Sequence, residues 1–584
     1  MSETDTGAQL GHDAAAALGP EGDLVADLDM AGFAGAMLAV LNRAMEHPVQ
    51  VGAATLRLGA SMARIAQFTL ARVAGAAAEP PIAPGRDKRF ADPAWTSNPG
   101  FAALLQYYLA TRQFSSQLLE LGRGDRDTDA KAALAAGFLL DALSPTNFLL
   151  TNPAALKRAF DTGGGSLLAG TRNFLGDLAH NKGRPSQVDR SAFTVGTNLA
   201  VTPGKVVFAN RLMELIQYCP QTETVHAIPL LASPPWINKY YIMDLSPGRS
   251  FIEWAVRHGH TVFAISYRNP DAGMRDVTLA DYLIGGPKTA LDVISDITGA
   301  DKINIAGLCL GGALTAMLAA YLARTGDRRI NSVTLLNTML DYSEPGVLGA
   351  FTDEATVTRL ERQMRKRGYL DGAQMSGTFD LLRANDLIFS YVASNWLMGQ
   401  RPPAFDILAW NSDSTRMPAA MHSFYLRSLY LRNELATGYL ELAGQRLSLG
   451  DISTDSYVVG AVNDHIVPWQ SSYQATRLLG GPVRYVLTSG GHIAGIVNPP
   501  GPKAWYLTGP DGTASTGSTA SSASTAGWRD AAGWRDAAER QDGSWWADWA
   551  AWAGPRAGEL VPPPAMGSPR YPPLASAPGS YVLG

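Results

Sequence analysis

The sequence has little cysteine, no excess of basic residues and no long apolar run. Two cysteines among 584 residues exclude a disulfide-stapled scaffold and a multi-cysteine metal site, and they indicate a reducing compartment. The formal net charge of -4 argues against a nucleic-acid-binding surface, which usually carries a basic excess. No stretch approaches the roughly 18 uninterrupted apolar residues of a membrane span, and the acidic segment Met1–Asp5 does not resemble a secretory signal. These absences predict a soluble cytoplasmic protein.

Apolar residues make up 46% of the sequence and charged residues 17%, so the chain can build a large core. Residues 1–190 carry Ala and Leu at helical spacing and predict a helical N-terminal domain, of which roughly the first 80 residues are poorly defined. In residues 191–584, short β-rich runs alternate with helical stretches. The predicted strands are 225–231, 261–267, 303–306, 332–336, 457–460 and 483–487. This alternation predicts an α/β domain with a parallel sheet covered on both faces.

Three segments of the α/β domain depart from this alternation. Residues 341–450 hold aromatic, Met and Arg residues at helical spacing without a clear strand pair, and they predict a helical cap over the sheet. Residues 506–540 read as a low-complexity loop. Residues 541–584 are a Trp-rich C-terminal segment, whose aromatic stripe predicts a helix face that docks on the protein's own core. The stripe consists of Trp545, Trp549 and Trp552.

The segment Gly307-Leu308-Cys309-Leu310-Gly311 lies between a predicted strand and a predicted helix. Its G-x-C-x-G pattern is that of a nucleophile elbow, with cysteine in place of the usual serine. The glycines allow the strained backbone that such a turn requires. The thiol would then lie near the positive N-terminus of the helix, with the Leu310 amide as an oxyanion donor. Taken alone, this motif could also be a buried cysteine in a turn without a catalytic role. The other cysteine, Cys219, has no glycine turn beside it and is predicted to be a packing residue.

An elbow cysteine needs a base and an acid that orients the base, and in this fold class the chain order is nucleophile, acid, histidine. Asp464 and His492 each follow a predicted strand, in that order. Taken singly, Asp464 could cap a helix that begins near Pro468, and His492 could be an ordinary loop histidine. Taken together, they predict a triad with Cys309. His465, next to the acid, is assigned a structural role.

Further segments accompany the elbow. They are Asn152–Lys157, Pro234–Asp244, Gly259–Phe263 with Tyr267–Pro270, Asn463–Trp469, Ser489–Gly495 with Asn498–Pro500, and Gly543–Trp546. With the G-x-C-x-G segment, these motifs resemble the polyhydroxyalkanoate synthases, which polymerise (R)-3-hydroxyacyl-CoA thioesters into polyester granules. The resemblance covers about residues 85–584, and it implies an α/β-hydrolase fold with a helical cap, preceded by a helical N-terminal domain.

The resemblance also implies a mechanism. The family's nucleophile falls on Cys309, its acid on Asp464 and its general base on His492, and the reaction proceeds through a covalent thioester with release of CoA. The oxyanion hole would combine the Leu310 amide with an amide near Ile237. No cofactor or metal is implied. Whether Asp464 orients His492 or activates the attacking 3-hydroxyl is left open by the sequence.

The implied partners are the acyl-CoA substrate, the growing polyester and the granule surface, with a homodimer as the expected assembly and neither nucleic acid nor a membrane span. His492–Gly495 is similar to the branch that uses short monomers, whereas Arg556–Leu560 is similar to the medium-chain branch; we favour short monomers. Trp236 stands where most related sequences carry a small or polar residue, so the pocket entrance is expected to differ. A cysteine hydrolase of the same fold and a non-catalytic granule protein are the alternatives.

Overall fold

The computed structural model describes residues 29–85, 87–509 and 531–584. The chain divides into two compact units. One comprises the described residues up to Asp189 together with Gly377–Ala404, and the other comprises Arg190–Ser376 together with Phe405–Gly584. The segment 341–450, predicted as one cap, is therefore divided between the two units.

The first unit is helical, and its helices begin at residues whose side chains accept backbone N–H groups. Asp29, Asn98, Asp125 and Asn152 each accept such a bond at a helix start, which satisfies donors that the helix itself leaves unpaired. The longer helices are Met30–Met45, Pro48–Val73, Pro99–Leu121, Arg126–Ala142, Pro153–Asp161 and Gly165–His180. Within the part of the chain that the structure describes, no helix has both the length and the apolar character needed to cross a membrane.

The second unit is built on a mixed sheet of eleven strands among its described residues. In chain order they are β1 (Gly204–Ala209), β2 (Met213–Tyr218), β3 (Leu230–Ser233), β4 (Val262–Tyr267), β5 (Ile303–Leu308), β6 (Ile330–Leu336), β7 (Asp455–Ala461), β8 (Val483–Thr488), β9 (Trp505–Thr508), β10 (Glu539–Asp542) and β11 (Ala575–Ser576). The spatial order is β10-β9-β8-β7-β6-β5-β3-β4-β2-β1-β11. The six central strands, β3 to β8, are parallel, and the outer strands pair antiparallel.

The central strands are buried along almost their whole length, as expected for parallel strands with helices on both faces. The helices of this unit are Phe251–Arg257, Leu279–Leu283, Thr289–Thr298, Leu310–Thr325, Glu354–Arg367, Asp406–Asn411, Ala419–Tyr425, Glu434–Thr437, Trp469–Tyr473, Ala475–Leu478 and Trp545–Ala553. A further helix, Gly372–Leu382, spans the boundary between the two units.

Five predicted strands are confirmed as β4 to β8, with ends that differ by a few residues. The sixth prediction, one strand over 225–231, is wrong. Val225–His226 pairs instead with Leu560–Val561, and β3 begins only at Leu230. Pro229 separates the two because it has no N–H group to donate to a neighbouring strand.

The predicted docking of the tryptophan stripe is confirmed for Trp545 and Trp549, whereas Trp552 is only half-buried. In the helix Trp545–Ala553, Trp546 is buried in addition, so that Trp545, Trp546 and Trp549 are at most 1% exposed and their rings pack around Phe251. Their indole N–H groups donate to the carbonyl oxygens of Gly495 and Ile496 and to the hydroxyl of Thr334. Each aromatic body therefore fills the core while its polar atom is satisfied.

His260, just before β4, is a buried histidine in this aromatic core. Its ring lies 5.0 Å from that of His226 and 5.5 Å from that of Trp549, centroid to centroid. Neither ring nitrogen has a hydrogen-bond partner among the described residues. Burial above all, with smaller contributions from the nearby charges of His226 and His258, lowers the pKa of His260 to about 3.

We predict that this histidine makes the folded state less stable as the pH is lowered. The unfolded chain protonates His260 near its ordinary pKa of 6.5, whereas the folded chain does so only near 3. Between these values, acid therefore stabilises the unfolded chain, by up to about 1.4 kcal/mol per pH unit. His260→Phe should show a smaller drop in melting temperature between pH 7 and pH 5 than the wild type. His180 is exposed, and His180→Phe is the matched control. Equal drops in melting temperature for the wild type and His260→Phe would contradict the prediction.

Candidate active site

Cys309 lies directly between β5 and the helix Leu310–Thr325. Its backbone has φ of 51° and ψ of -116°, a conformation that residues other than glycine seldom adopt. The Cys309 N–H donates to the carbonyl oxygen of Leu336, at the end of β6, over 2.8 Å. The turn therefore has the strained strand-to-helix geometry that the G-x-C-x-G pattern predicts.

Glycine is required beside this cysteine because backbone segments approach each other closely. A Cβ on Gly307 would lie 2.6 Å from the Cα of Gly312. A Cβ on Gly311 would overlap the carbonyl oxygens of Ser233 and Pro234, in the loop that follows β3. The contacting atoms belong to the backbone, so they cannot move aside as a side chain could.

Asp464 and His492 form a buried pair at the ends of the neighbouring parallel strands β7 and β8. Oδ2 of Asp464 accepts a hydrogen bond from Nδ1 of His492 over 2.7 Å, and the two side chains are 0% and 6% exposed. Oδ1 accepts the backbone N–H groups of Ile466 and Val467, each over 2.9 Å. The helix that begins after Pro468 has no side-chain cap, so the alternative role of Asp464 as its cap is wrong.

Cys309 lies within electrostatic range of His492, because its sulfur is among the groups that raise the pKa of this histidine. Nδ1 of His492 is engaged by Asp464, so Nε2 is the ring nitrogen left to serve the thiol. Burial is the largest influence on this histidine and opposes its protonation. The carboxylate of Asp464 and the sulfur of Cys309 outweigh it, so the pKa of His492 lies well above its usual value. Asp464 and His492 are thus paired within electrostatic range of Cys309, which is half-buried. That the three residues act as a catalytic triad stays a prediction.

The loop that carries His492 is held by residues outside the triad. Nδ2 of Asn337 donates to the carbonyl oxygen of His492 over 2.5 Å. Asn337 has a positive φ of 43°, and its own N–H donates to the carbonyl oxygen of Val459 on β7 over 2.8 Å. Asn337 was not among the residues predicted from the sequence, although its position directly after a predicted strand was a usable signal.

The two predicted oxyanion donors lie at the start of the nucleophile helix and in the loop after β3. Leu310 is the first residue of its helix, and the first N–H groups of a helix have no partner within it. Ile237 lies in the loop that starts at Ser233 and passes the beginning of that helix. The next residue, Asn238, has a positive φ of 62° and donates its N–H to the hydroxyl of Thr415 over 2.7 Å. The oxyanion role of both residues stays a prediction.

Three tyrosines near the nucleophile were also missed. The rings of Tyr342 and Tyr430 lie 4.8 Å apart, and those of Tyr425 and Tyr430 lie 5.4 Å apart. Burial, followed by neighbouring charges that include Cys309, raises the pKa of each hydroxyl above its usual value. The three hydroxyls therefore lie within electrostatic range of the sulfur. Trp236 packs edge-on against Tyr425 at 5.8 Å.

Cys219 lies away from this group. It follows β2, is partly exposed, and donates its N–H to the carbonyl oxygen of Pro203 over 2.8 Å. The described residues contain no group of three or more His, Cys, Asp or Glu side chains arranged to hold a metal ion.

Comparison with known proteins agrees with the resemblance seen in the motifs. Residues 86–255 match the family described as "Poly-beta-hydroxybutyrate polymerase (PhaC) N-terminus", and residues 240–499 match the α/β hydrolase fold. The poly(3-hydroxyalkanoate) polymerase of Methylorubrum extorquens is 43% identical over 92% of this chain and 87% of its own length. The poly(3-hydroxyalkanoate) polymerase subunit PhaC of Rhizobium meliloti is 45% identical over 76% of this chain and 73% of its own. A solved hydrolase from Pseudomonas aeruginosa, 16% identical, covers 50% of this chain and 94% of that one with a TM-score of 0.29.

The predicted α/β-hydrolase fold, with a helical region before it, is therefore confirmed. The high identity to the curated polymerases extends over most of both chains. The chain belongs to the poly(3-hydroxyalkanoate) polymerase family.

Proposed function

We propose that this protein is an acyltransferase that polymerises (R)-3-hydroxyacyl-CoA into polyhydroxyalkanoate and releases CoA. Membership in the family makes it an enzyme of polyhydroxyalkanoate synthesis. The observation that supports the finer proposal is the series Asp464, His492 and Cys309 at one edge of the parallel sheet, in which Asp464 is hydrogen bonded to His492 and the sulfur of Cys309 helps to raise the pKa of His492. This series supplies a nucleophile, a base and an orienting carboxylate, which together suffice for acyl transfer through a covalent intermediate.

In the first half of the reaction, His492 accepts the thiol proton of Cys309 through Nε2. The raised pKa of His492 favours this transfer. The thiolate then attacks the thioester carbonyl, and the tetrahedral oxyanion is stabilised by the amides of Leu310 and Ile237. When the carbon–sulfur bond to CoA breaks, His492 returns the proton to the departing thiolate, and the acyl group stays on Cys309 as a new thioester.

In the second half, a 3-hydroxyl group attacks the carbonyl carbon of the acyl-enzyme, with His492 as the base that takes the hydroxyl proton. As the ester bond forms, the bond between that carbon and the Cys309 sulfur breaks, and His492 returns the proton to the released thiolate. We infer that Asp464 orients His492 rather than activating this hydroxyl directly. Both carboxylate oxygens are already engaged, one by His492 and the other by two backbone N–H groups. The side chain is also fully shielded, so a substrate hydroxyl has no route to it in this arrangement.

Elongation requires that water be kept from the acyl-enzyme, because hydrolysis would end the chain. An aromatic lining near Cys309 is formed by Trp236, Tyr342, Tyr425 and Tyr430. We propose that this lining excludes water while an ester forms.

We further propose that the enzyme acts as a homodimer at the surface of polyester granules. The first unit exposes large apolar side chains, among them Leu150, Phe160 and Leu168, which are 77% to 88% exposed. Exposed apolar surface of this kind favours contact with an apolar material.

Cys309→Ala should abolish CoA release from (R)-3-hydroxybutyryl-CoA, because no nucleophile remains. Cys309→Ser should fold normally but lose at least about a hundredfold in rate, since a hydroxyl ionises far less readily than a thiol. Free CoA is measured by a thiol reagent, and the polyester by chemical depolymerisation. Cys219→Ala is the matched control and should keep full activity. Undiminished CoA release by Cys309→Ala would exclude the proposed nucleophile, and free acid instead of polymer from the wild type would indicate a hydrolase.

Asp464→Asn should lower kcat by about a hundredfold or more with little change in KM, because the amide no longer holds His492 in the required tautomer. In single-turnover experiments the release of the first CoA should slow as much as later releases. If Asp464 only activated the 3-hydroxyl, the first release would stay fast, and our inference on its role would be wrong. Asp327→Asn, which changes a carboxylate paired with Arg329, is the control and should retain wild-type rates.

A further inference from the structure

The aromatic lining near Cys309 contains two polar atoms that the folded chain leaves unpaired. Trp236 is 2% exposed and Tyr342 is 3% exposed. Neither Nε1 of Trp236 nor the hydroxyl of Tyr342 has a hydrogen-bond partner among the residues described. Buried polar groups are nearly always hydrogen bonded, because desolvating them without a partner costs free energy. A bound ligand with a complementary polar group would remove this cost.

Both residues lie on loops whose preceding backbone contacts the turn that carries Cys309. Trp236 directly precedes Ile237 in the loop after β3, which passes the start of the nucleophile helix. Tyr342 follows β6, whose last residue accepts the Cys309 N–H. Its backbone is fixed by Asn433, whose Oδ1 accepts the Tyr342 N–H over 2.9 Å.

Tyr425 connects the two side chains. Its ring centroid lies 5.8 Å from that of Trp236 and 6.4 Å from that of Tyr342, in both cases nearly perpendicular. After burial and the neighbouring Tyr430, the charge of Cys309 also contributes to raising the pKa of the Tyr342 hydroxyl. Trp236 and Tyr342 therefore belong to one aromatic group beside the nucleophile.

An (R)-3-hydroxyacyl group is chemically complementary to this aromatic group and its two unpaired polar atoms. Apart from the reacting carbonyl it carries one polar group, the 3-hydroxyl, and its remaining side chain is apolar. A tyrosine hydroxyl can donate to and accept from that 3-hydroxyl, whereas an indole N–H can only donate. The aromatic rings suit the alkyl part, and the bulk of the indole takes up space that a long side chain would need.

We propose that Tyr342 binds the 3-hydroxyl of the acyl group carried by Cys309 and that Trp236 restricts the site to monomers with short side chains. The juxtaposition of two unpaired buried polar atoms in one aromatic group beside the nucleophile carries this inference, which rests on the proposed function. Tyr342 is thus a substrate-binding residue, and Trp236 determines specificity.

The role of Tyr342 is tested with Tyr342→Phe, which removes only the hydroxyl. The variant should lose about tenfold in kcat/KM for (R)-3-hydroxybutyryl-CoA, the effect of one lost hydrogen bond. It should keep the wild-type rate of Cys309 acylation by butyryl-CoA, which has no 3-hydroxyl. Tyr267→Phe is the matched control, because the Tyr267 hydroxyl is also buried without a partner among the described residues but Cys309 is not among the groups that affect it. Equal losses for both substrates, or no loss for either, would overturn the assignment.

The role of Trp236 is tested by feeding equal amounts of (R)-3-hydroxybutyryl-CoA and (R)-3-hydroxyoctanoyl-CoA. Trp236→Ala should raise the ratio of eight-carbon to four-carbon units in the polymer at least tenfold, and Trp236→Phe should raise it by less. The phenylalanine variant keeps the test valid if the alanine variant does not fold. Trp254→Phe, at a half-buried tryptophan whose buried N–H is also unpaired among the described residues, should leave the ratio unchanged.

An unchanged ratio in both Trp236 variants would overturn the specificity assignment. This result is distinct from failure of the proposed function, which would appear in the wild type as absence of CoA release or of polymer.

Discussion

At the turn between β5 and its helix, two backbone segments approach so closely that only glycine fits beside Cys309. This contact holds the cysteine at a positive φ, and the hydrogen bond to Leu336 ties it to the adjacent strand. The sulfur is therefore presented at the carboxyl edge of the parallel sheet, where β7 and β8 also end. The acid and the base can come from separate strands because those strand ends share the same edge.

His492 depends on a second set of contacts, made from several directions. Asp464 orients the ring, Asn337 holds its backbone carbonyl, and the indoles of Trp545 and Trp546 hold the carbonyls a few residues further on. The C-terminal tryptophan helix is thus part of the framework of the site, although it lies some 50 positions after the histidine loop in the chain. Buried hydrogen bonds of this kind limit the loop to one conformation.

Polyester synthesis places an unusual demand on this framework. In the proposed mechanism, Cys309 must carry a reactive thioester long enough for a hydroxyl, rather than water, to attack it. The aromatic residues near Cys309 supply a lining of low polarity, and the few polar atoms within it can recognise the one hydroxyl of the monomer. Under the proposed function, exclusion of water and selection of the monomer would therefore come from the same group of side chains.

The sequence by itself determined the nucleophile turn, the order of Cys309, Asp464 and His492, and the buried parallel strands. These features are local, because backbone sterics require the glycines and doubly covered strands require apolar runs. It did not determine the outer strands, of which β9, β10 and β11 are short, at least partly exposed and therefore weak as sequence signals. It also did not determine the break at Pro229 or the partners Asn337 and Tyr342, which depend on contacts between distant parts of the chain. Only the tertiary structure decided those contacts, since the order of strands in the sheet brings Asn337 to His492 across 155 positions of chain.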